Sequence, residues 1–333
     1  LPPSPTPQVP MPKPPNAPTA SNRLTTHARP YDLPSIPALI TYLHATIGLP
    51  VKMTWLVAIK QGAYATWLGL IHALAACYCQ DTNKTHKGHM AQPCQHIRST
   101  KPCSPPPART PLHPPAFRAN TIELHEIPLT HIFTDDTGRF HLRARSSNQY
   151  IMVALHSSNA ILVQPFPTKK DNHRIAAYQA IYTRLHKADQ PPTLHIMDNE
   201  CSSSFRQAIV HNNCNYQLVP PHVHRRNAAE RAIRTFKDHF LAILAGTAPS
   251  FPADRWDLLL PHAELTLNLI RPSPTPVSAW ENLFGPYNFD ATPIGPAGCH
   301  VLIHHKATIR RSWDFRALEG FHLGPALLHY RCY

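Results

Sequence analysis

The order of apolar and polar segments between residues 128 and 270 predicts an α/β fold, a mixed sheet with helices on both faces. Three strand-like segments come first, near residues 129–136, 139–145 and 149–156, and Asp136-Thr137-Gly138 is expected to turn the first pair. Helices and strands then alternate. They are a helix near 172–188, a strand at 193–197, a helix near 202–212, a strand at 215–219, a helix beginning near Asn227 and a final helix at 253–270.

The stretch 217–237 carries the most specific pattern. It begins as a short apolar strand, breaks at Pro220-Pro221 and becomes a helix near Asn227, which is a plausible N-cap. Glu230 falls in the first turn, where a carboxylate gains from the helix dipole. Apolar residues then recur close to the helical period, at Ala229, Ile233, Phe236, Phe240 and Leu244. A surface helix with one well-placed acid would also explain this pattern.

Two further acids are predicted at strand ends, Asp135 after the first strand and Asp198 after the strand 193–197. Such aspartates on neighbouring strands, with a glutamate on a following helix, can converge on Mg²⁺, which prefers carboxylate oxygen. We therefore expect Asp135, Asp198 and Glu230 to lie within a few ångströms of one another in a common cleft. Asp135 and Glu230 would hold one ion while Asp198 bridges to a second, and Asp136 should point into the hairpin turn.

Three motifs here resemble the catalytic core of retroelement integrases, specifically the copia-type group. They are Thr134-Asp135-Asp136-Thr137-Gly138, Asp198-Asn199-Glu200, and Pro-Pro-His-Val-His-Arg-Arg-Asn-Ala-Ala-Glu-Arg at 220–231. The resemblance covers roughly residues 118–285 and implies a ribonuclease H-like core. One departure is that only 31 residues separate Asp198 from Glu230, fewer than integrases usually have, so the intervening loop would be shorter.

The resemblance implies an integrase, a polynucleotidyl transferase and endonuclease that uses two Mg²⁺ or Mn²⁺ ions. Asp135, Asp198 and Glu230 would be the catalytic metal ligands; the ions would activate water to cut DNA near its 3′ end, then activate that 3′ hydroxyl to attack target DNA. DNA contacts are expected from Arg225, Arg226, Asn227, Arg231, Arg234 and Lys237. Element-end and target DNA would be the partners of a homo-oligomer in the nucleus or in a cytoplasmic virus-like particle.

Composition agrees with a polyanionic partner. Lys plus Arg total 32 against 19 Asp plus Glu, a net charge of +13, which favours nucleic acid, although a solvated basic surface would give the same balance. No apolar run is long enough to cross a bilayer, so no membrane partner and no signal peptide are expected. The eight cysteines have irregular spacings, which favours free thiols in a reducing compartment.

The chain divides by composition into five segments: a disordered Pro-rich lead (1–36), a helical unit (37–101), a Pro-rich linker (102–117), the core (118–285) and a β-rich tail (286–333). The prolines predict extended, poorly packed arms, and the helical unit is expected to make few contacts with the core. The helical unit resembles the region upstream of the integrase core in one lineage of copia-like polyproteins. Gly62 and Gly69 are expected at helix ends or turns.

A zinc module is not favoured in the helical unit. Its possible ligands include no C-x-x-C, and Cys77-x-Cys79 is too tight for a structural knuckle. Those ligands are His44, Cys77, Cys79, His86, His89 and Cys94. In the tail, β-like pieces are expected at 299–304, 315–323 and 326–333. Lys306, Arg310, Arg311 and Arg316 with Trp313 could contact phosphates, or form the solvated face of a small sheet packed around Trp313 and Tyr330.

Two other functions fit parts of the pattern. Asp136-Thr137-Gly138 spells the triplet of aspartic proteases, but Asp135 precedes it, Arg139 follows it, and no second half is evident. A catalytically inactive nucleic-acid-binding remnant of a retroelement would suit the many prolines, the scattered cysteines, Leu68 where the lineage has proline, and the short spacing between Asp198 and Glu230.

Overall fold

The structure is a computed structural model that describes residues 33–90, 130–199, 201–219, 228–304 and 308–327. The Pro-rich linker 102–117 and almost all of the Pro-rich lead lie outside these ranges, so the expectations for both segments stay predictions. The boundaries of the five segments stay a prediction as well. No helix in the described ranges is long and apolar enough to cross a membrane.

Regular structure follows the predicted alternation. The helices are α1 (Ile36–Thr46), α2 (Lys52–Lys60), α3 (His72–Tyr78), α4 (Asn83–His89), α5 (Asp171–Lys187), α6 (Ser203–His211), α7 (Ala228–Gly246), α8 (Leu260–Ile270) and α9 (Ala279–Phe284). The strands are β1 (His131–Asp136), β2 (Tyr150–His156), β3 (Ile161–Phe166), β4 (Leu194–Met197), β5 (Asn215–Leu218), β6 (His300–His304) and β7 (Ala317–Phe321).

Five strands form one mixed sheet in the order β3-β2-β1-β4-β5. The pairs β1–β2 and β2–β3 are antiparallel, whereas β1–β4 and β4–β5 are parallel. Three antiparallel strands followed by two parallel strands in this order make a ribonuclease H-like fold, so the predicted fold class is confirmed.

The predicted strand at 139–145 is wrong, and the third leading strand is β3, which the sequence analysis missed. Residues 137–149 form a loop in which the amide of Phe140 donates to the carbonyl of Gln149 at 2.8 Å. The Phe140 ring stacks on Trp256 with centroids 4.3 Å apart, and the Trp256 indole donates to the Leu142 carbonyl at 3.0 Å. The apolar residues that suggested a strand therefore pack on the segment before α8. Asp136-Thr137-Gly138 was expected to turn directly into a second strand, but β2 begins only at Tyr150.

The helix predicted at 253–270 is divided. Residues Ala253–Leu259 form a 3-10 helix with a non-helical Arg255 (φ −110°, ψ 16°), and α8 follows with a proline in its first turn. Proline is tolerated at that position because its missing N–H has no partner within the helix there. The other predicted helices and strands of the core occur within a few residues of their expected ends.

Each face of the sheet has its own apolar layer. On the face covered by α5 and α6, the α5 face, the buried residues include Ile132, Met152, Ala154, Leu162, Tyr178, Ile181 and Phe205. On the face covered by α7 and α8, the α7 face, they include Ile151, Val153, Ile161, Val163, Phe236, Phe240 and Trp256. The alternation of β2 residues between the two layers follows from the period of a strand.

The described part of the unit predicted at 37–101 contains α1 to α4 and is helical as predicted, whereas residues 91–101 lie outside the described ranges. Gly62 and Gly69 occupy turns with positive φ. The expectation that this unit makes few contacts with the core is wrong. One continuous apolar cluster joins it to α8, α9 and the residues after them; its members include Ile40, Leu43, Trp55, Trp67, Leu265, Leu269, Trp280 and Phe289. The physical reason lies in α8, which is apolar around most of its circumference and so must be covered on the side away from the sheet.

The β6–β7 pair is an antiparallel two-stranded sheet. A packed sheet around Trp313 was one of two expectations for the tail, and it is wrong because the Trp313 side chain is 99% exposed. Residues 328–333, including Tyr330, lie outside the described ranges. Two strands alone offer no second layer that could bury an aromatic side chain.

Candidate active site

The register of β1 decides where its two consecutive aspartates point. Asp135 lies opposite Val153 of β2, and Asp136 lies opposite Met152. Directly opposed residues of an antiparallel pair share a face, and Val153 and Met152 belong to different apolar layers. Asp135 is therefore on the α7 face of the sheet, and Asp136 is on the α5 face.

Asp198 follows β4 at the same edge of the sheet. In the parallel β1–β4 pair Phe133 lies opposite Ile196, so the same register continued by two residues brings Asp198 level with Asp135. Met197 is buried in the layer of the α5 face, and the next residue in an extended chain points to the other side. The topology thus brings Asp135 and Asp198 together on the α7 face.

Asp135 interacts electrostatically with both of the other predicted acids. Burial raises the pKa of the Asp135 carboxyl, and the hydrogen bond from the Asp136 amide to its Oδ1, 2.7 Å long, opposes that rise. The negative charges of Asp198, Asp136 and Glu230 then raise the pKa further. A carboxyl group surrounded by like charges favours either a proton or a bound cation.

Glu230 lies in the first turn of α7, and its side chain is exposed. The apolar face of this helix packs on the sheet through residues that include Ala229, Ala232, Phe236, Phe240 and Ile243. That packing fixes α7 against β1 and β2 and holds Glu230 within electrostatic reach of Asp135.

Within the described ranges, no compact group of metal ligands is found. Among the residues that the structure describes, no three or more His, Cys, Asp and Glu side chains lie close enough together to hold a metal ion. The expected convergence of Asp135, Asp198 and Glu230 stays a prediction, and Asp135 interacts electrostatically with both of the other acids. Their assignment as metal ligands stays a prediction. Of the zinc ligands considered in the helical unit, Cys94 lies outside the described ranges, and the buried His44 ring hydrogen-bonds the Pro50 carbonyl at 2.7 Å.

The expectation for Asp136 is wrong, because this side chain enters the protein instead of a hairpin turn. Only 6% of it is exposed, and its Oδ2 lies 2.8 Å from Nε of Arg174 on α5. Burial raises the pKa of Asp136, and the positive charges of Arg174 and Lys169 oppose that rise. The reason is that Asp136 still belongs to β1, where strand alternation turns it toward the α5 face.

A cavity of about 220 Å³ opens beside these groups and is lined by side chains of both charges. Asp135, Asp136 and Asp198 line it together with the cations Lys169 and Arg174. Sequence reasoning missed both cations. Arg174 falls in the first turn of the predicted helix 172–188, and nothing in its local pattern distinguishes it from a solvated arginine.

A buried hydrogen bond ties β1 to β4 next to the acids. Thr134 Oγ1 lies 2.6 Å from Nε2 of His195, whose ring stacks on Tyr178 with centroids 5.1 Å apart. Complete burial lowers the pKa of His195 to about 3, so the ring is neutral. Alternation in the strand 193–197 could have predicted that His195 points inward, but not which group it meets.

The predicted DNA-binding residues divide into two groups. Arg231, Arg234 and Lys237 are exposed on α7, at intervals of three residues that keep them on one side of the helix. Arg225, Arg226 and Asn227 lie outside the described ranges, so their positions stay predictions.

No family model matches this chain, and no curated protein matches it. Solved structures that are similar to this chain at low identity include the following three. The first is a simian T-cell lymphotropic virus intasome in complex with PP2A regulatory subunit B56 gamma, with 16% identity over 58% of this chain and 68% of that chain and a TM-score of 0.39. The second is the catalytic core domain of BIV integrase, with 16% identity over 46% of this chain and 92% of that chain and a TM-score of 0.35. The third is the HTLV-2 integrase catalytic core domain in complex with magnesium, with 17% identity over 47% of this chain and 97% of that chain and a TM-score of 0.36.

Proposed function

We propose that this chain is an integrase from a copia-type retrotransposon polyprotein, a polynucleotidyl transferase and endonuclease that processes the ends of element DNA and joins them to host DNA. One observation carries the proposal. The β1–β4 register brings Asp135 and Asp198 to one face of a ribonuclease H-like sheet, and α7 holds Glu230 within electrostatic reach of Asp135. The partners would be element-end and target DNA, the active form a homo-oligomer, and the location the nucleus or a cytoplasmic virus-like particle.

Asp135, Asp198 and Glu230 would hold Mg²⁺ or Mn²⁺, since an all-carboxylate donor set suits hard cations. When bound, such ions activate water or a 3′ hydroxyl and stabilise the leaving oxygen of an in-line displacement. The carboxylates would attract the cations because Asp198 and Glu230 add negative charge at Asp135, and cation binding would relieve the repulsion that contributes to the raised pKa of Asp135. Arg231, Arg234 and Lys237 would neutralise backbone phosphates along α7.

A second candidate is an inactive nucleic-acid-binding remnant, and a specific observation favours it: the described residues hold no compact group of metal ligands. Such a protein would keep the basic surface and bind DNA without cutting it. An aspartic protease gains nothing from the structure, because Asp136 is buried in an ion pair with Arg174.

The test is a nicking and strand-transfer assay with short DNA duplexes and Mg²⁺ or Mn²⁺. We expect wild type to be active, and Glu230→Gln to lose both activities while its DNA affinity stays equal or rises slightly, because the acids repel DNA until metal is bound. Glu281→Gln is the matched control, since Glu281 also occupies the first turn of a helix, α9, but is not among the charges that raise the pKa of Asp135.

Two results would decide against an active integrase. Wild type that binds DNA with a salt-sensitive affinity, yet never nicks or joins it with either metal, would establish the remnant. Glu230→Gln that joins strands as well as wild type would remove this acid from the proposed set of ligands.

A further inference from the structure

Arg174 is held in one orientation by two contacts. Its Nε lies 2.8 Å from Oδ2 of Asp136, and its guanidinium carbon lies 5.6 Å from the centroid of the Phe205 ring. A charge-assisted contact and a ring contact together fix the plane of a guanidinium group. Arg174 is therefore presented to the cavity as a preorganised cation.

The two partners of this ion pair are buried to different extents. The Asp136 side chain is 6% exposed, whereas the Arg174 side chain is 26% exposed and lines the cavity. In the part of the chain that the structure describes, the terminal nitrogens of Arg174 have no hydrogen-bond acceptor. A guanidinium group has five N–H donors, so Arg174 retains donors for a ligand in the cavity.

Lys169 adds a second cation to the lining of the cavity. It is exposed, lines the cavity and places its Nζ 5.7 Å from the centroid of the Tyr150 ring. The cavity of about 220 Å³ is open enough for several water molecules or a phosphate group. A cavity lined by two cations and three carboxylates is the complement of a phosphodiester with its bound cation.

We propose that Lys169 and Arg174 bind a phosphate of the DNA strand that is held at the acids, and that Asp136 is a positioning residue for Arg174. The inference rests on the proposed function and adds two residues on the α5 side of the cleft to the basic residues of α7. It concerns substrate binding, and it assigns a role to the one aspartate of the cavity that lies on the opposite face of the sheet from the other two.

The balance of charge in the cavity makes the proposal specific. Without metal, Asp135, Asp136 and Asp198 outnumber the two cations, and a phosphate would be repelled. Divalent cations at the acids reverse the sign of the local charge, because a bound ion is often the largest charge in such a site. Lys169 and Arg174 should therefore contribute to DNA affinity only when a divalent cation is present.

The experiment measures the binding of a short fluorescent duplex to the full chain by anisotropy, in EDTA and in Ca²⁺, a hard cation that takes carboxylate oxygens. Lys169→Gln and Arg174→Gln should each weaken binding in Ca²⁺ and reduce the slope of log affinity against log salt by about one, with no change in EDTA. Lys187→Gln, at the exposed far end of α5, is the matched control and should leave both values unchanged.

Arg174→Gln also leaves a buried carboxylate without its cation and could destabilise the fold. The double variant Asp136→Asn with Arg174→Gln removes that carboxylate, and it should fold and show the same Ca²⁺-dependent loss. Arg174→Lys keeps a positive charge and should lose less affinity than Arg174→Gln.

The outcomes separate this inference from the proposed function. If Ca²⁺ strengthens DNA binding by wild type and the Lys169 and Arg174 variants retain all of that gain, the two residues do not bind phosphate. An equal loss in EDTA and Ca²⁺ would also overturn the inference, since it indicates a general surface effect. If metal changes neither DNA affinity nor nicking by wild type, the proposed function itself fails.

Discussion

Residues 33–90 precede the five-stranded sheet in the chain and the β6–β7 hairpin follows it, and the two units differ in where their aromatic side chains lie. Trp67 is 2% exposed and stacks on Phe289 with centroids 4.1 Å apart. Trp313, between the two strands of the hairpin, is 99% exposed, and its neighbour Phe315 is 89% exposed. Helices with an apolar stripe can cover α8, whereas a two-stranded hairpin has no second layer to cover its own side chains.

The difference shows that a short flanking segment becomes part of the core when the core itself has an unsatisfied apolar face. Leu265 and Leu269 of α8 are both 1% exposed, and they are covered by the helices of residues 33–90. The described part of the hairpin contacts the core near its base, where Phe321 packs edge-on against Phe251 with centroids 5.3 Å apart. We therefore expect substitutions in the two units to affect stability very differently.

Replacing each of the two tryptophans is the strongest test of this difference in burial. Trp67→Ala should lower the free energy of unfolding by about 3–5 kcal/mol, because it removes a buried ring and leaves a cavity. Trp313→Ala should change it by no more than about 0.5 kcal/mol. Chemical denaturation of both variants measures the two values. Equal losses would mean that the hairpin is buried in the folded protein and that the contrast between the units is false.

Acid should weaken the contact between residues 33–90 and the core. His262 of α8 donates from Nε2 to the carbonyl of Thr46 at 2.9 Å, and burial lowers the pKa of His262 to about 4. In the unfolded chain this histidine takes up a proton near pH 6.5, so the unfolded state binds more protons between pH 6.5 and 4. The stabilising contribution is complete above pH 6.5 and is lost as the pH falls toward 4.

The shift of the His262 pKa from 6.5 to about 4 corresponds to a loss of roughly 3 kcal/mol of folding stability from this residue alone. His262→Gln should reduce the dependence of the melting temperature on pH between 6.5 and 4. His72→Gln, at an exposed position of α3, is the control. A pH dependence that is the same in wild type and His262→Gln would rule out this residue as its source.

A smaller effect is expected where α4 meets α7. A Cβ atom on Gly88 would lie 2.5 Å from the carbonyl oxygen of Asp238 and 2.6 Å from the amide nitrogen of Ala242. Gly88→Ala should therefore push α4 away from α7 and lower stability by about 1–3 kcal/mol. Gly138→Ala is the matched control, because nothing lies within 4 Å of its Cβ position. A stable Gly88→Ala protein would show that α4 is not closely packed on the core.

Much of the core could be predicted because its signals are local. The period of α7, the strand-end position of Asp198 and the helix 172–188 all follow from residues adjacent in the chain. Contacts between distant segments could not be predicted in this way. Phe140 was assigned to a strand because its packing partner, Trp256, is far along the sequence and could not be recognised from the neighbouring residues. In the same way, the apolar stripe of α1 does not reveal that its partner is α8.

The candidate site follows the same rule. Asp135 and Asp198 were predictable because strand ends of neighbouring parallel strands meet at one edge of a sheet. The direction of Asp136 depends on the register with Met152, and the role of Arg174 depends on a helix whose position only the folded sheet defines. A sequence shows which side chains are available, but the register determines which of two adjacent aspartates lies beside the other acids.

The smallest effect concerns the basic residues of α7 and of the hairpin. Replacing Arg231 and Arg234 together by Ala should weaken DNA binding regardless of sequence and lower the salt slope by about two, since each neutralised phosphate releases counterions. Replacing Arg311 and Arg316 of the hairpin together removes the same charge from an element that carries none of the three acids, and the affinity should fall less. Anisotropy titrations over a range of salt concentrations compare the two variants. If the hairpin variant loses as much affinity as the α7 variant, the exposed hairpin is an equal part of the DNA-binding surface; if neither loses affinity, the DNA contacts lie outside both elements.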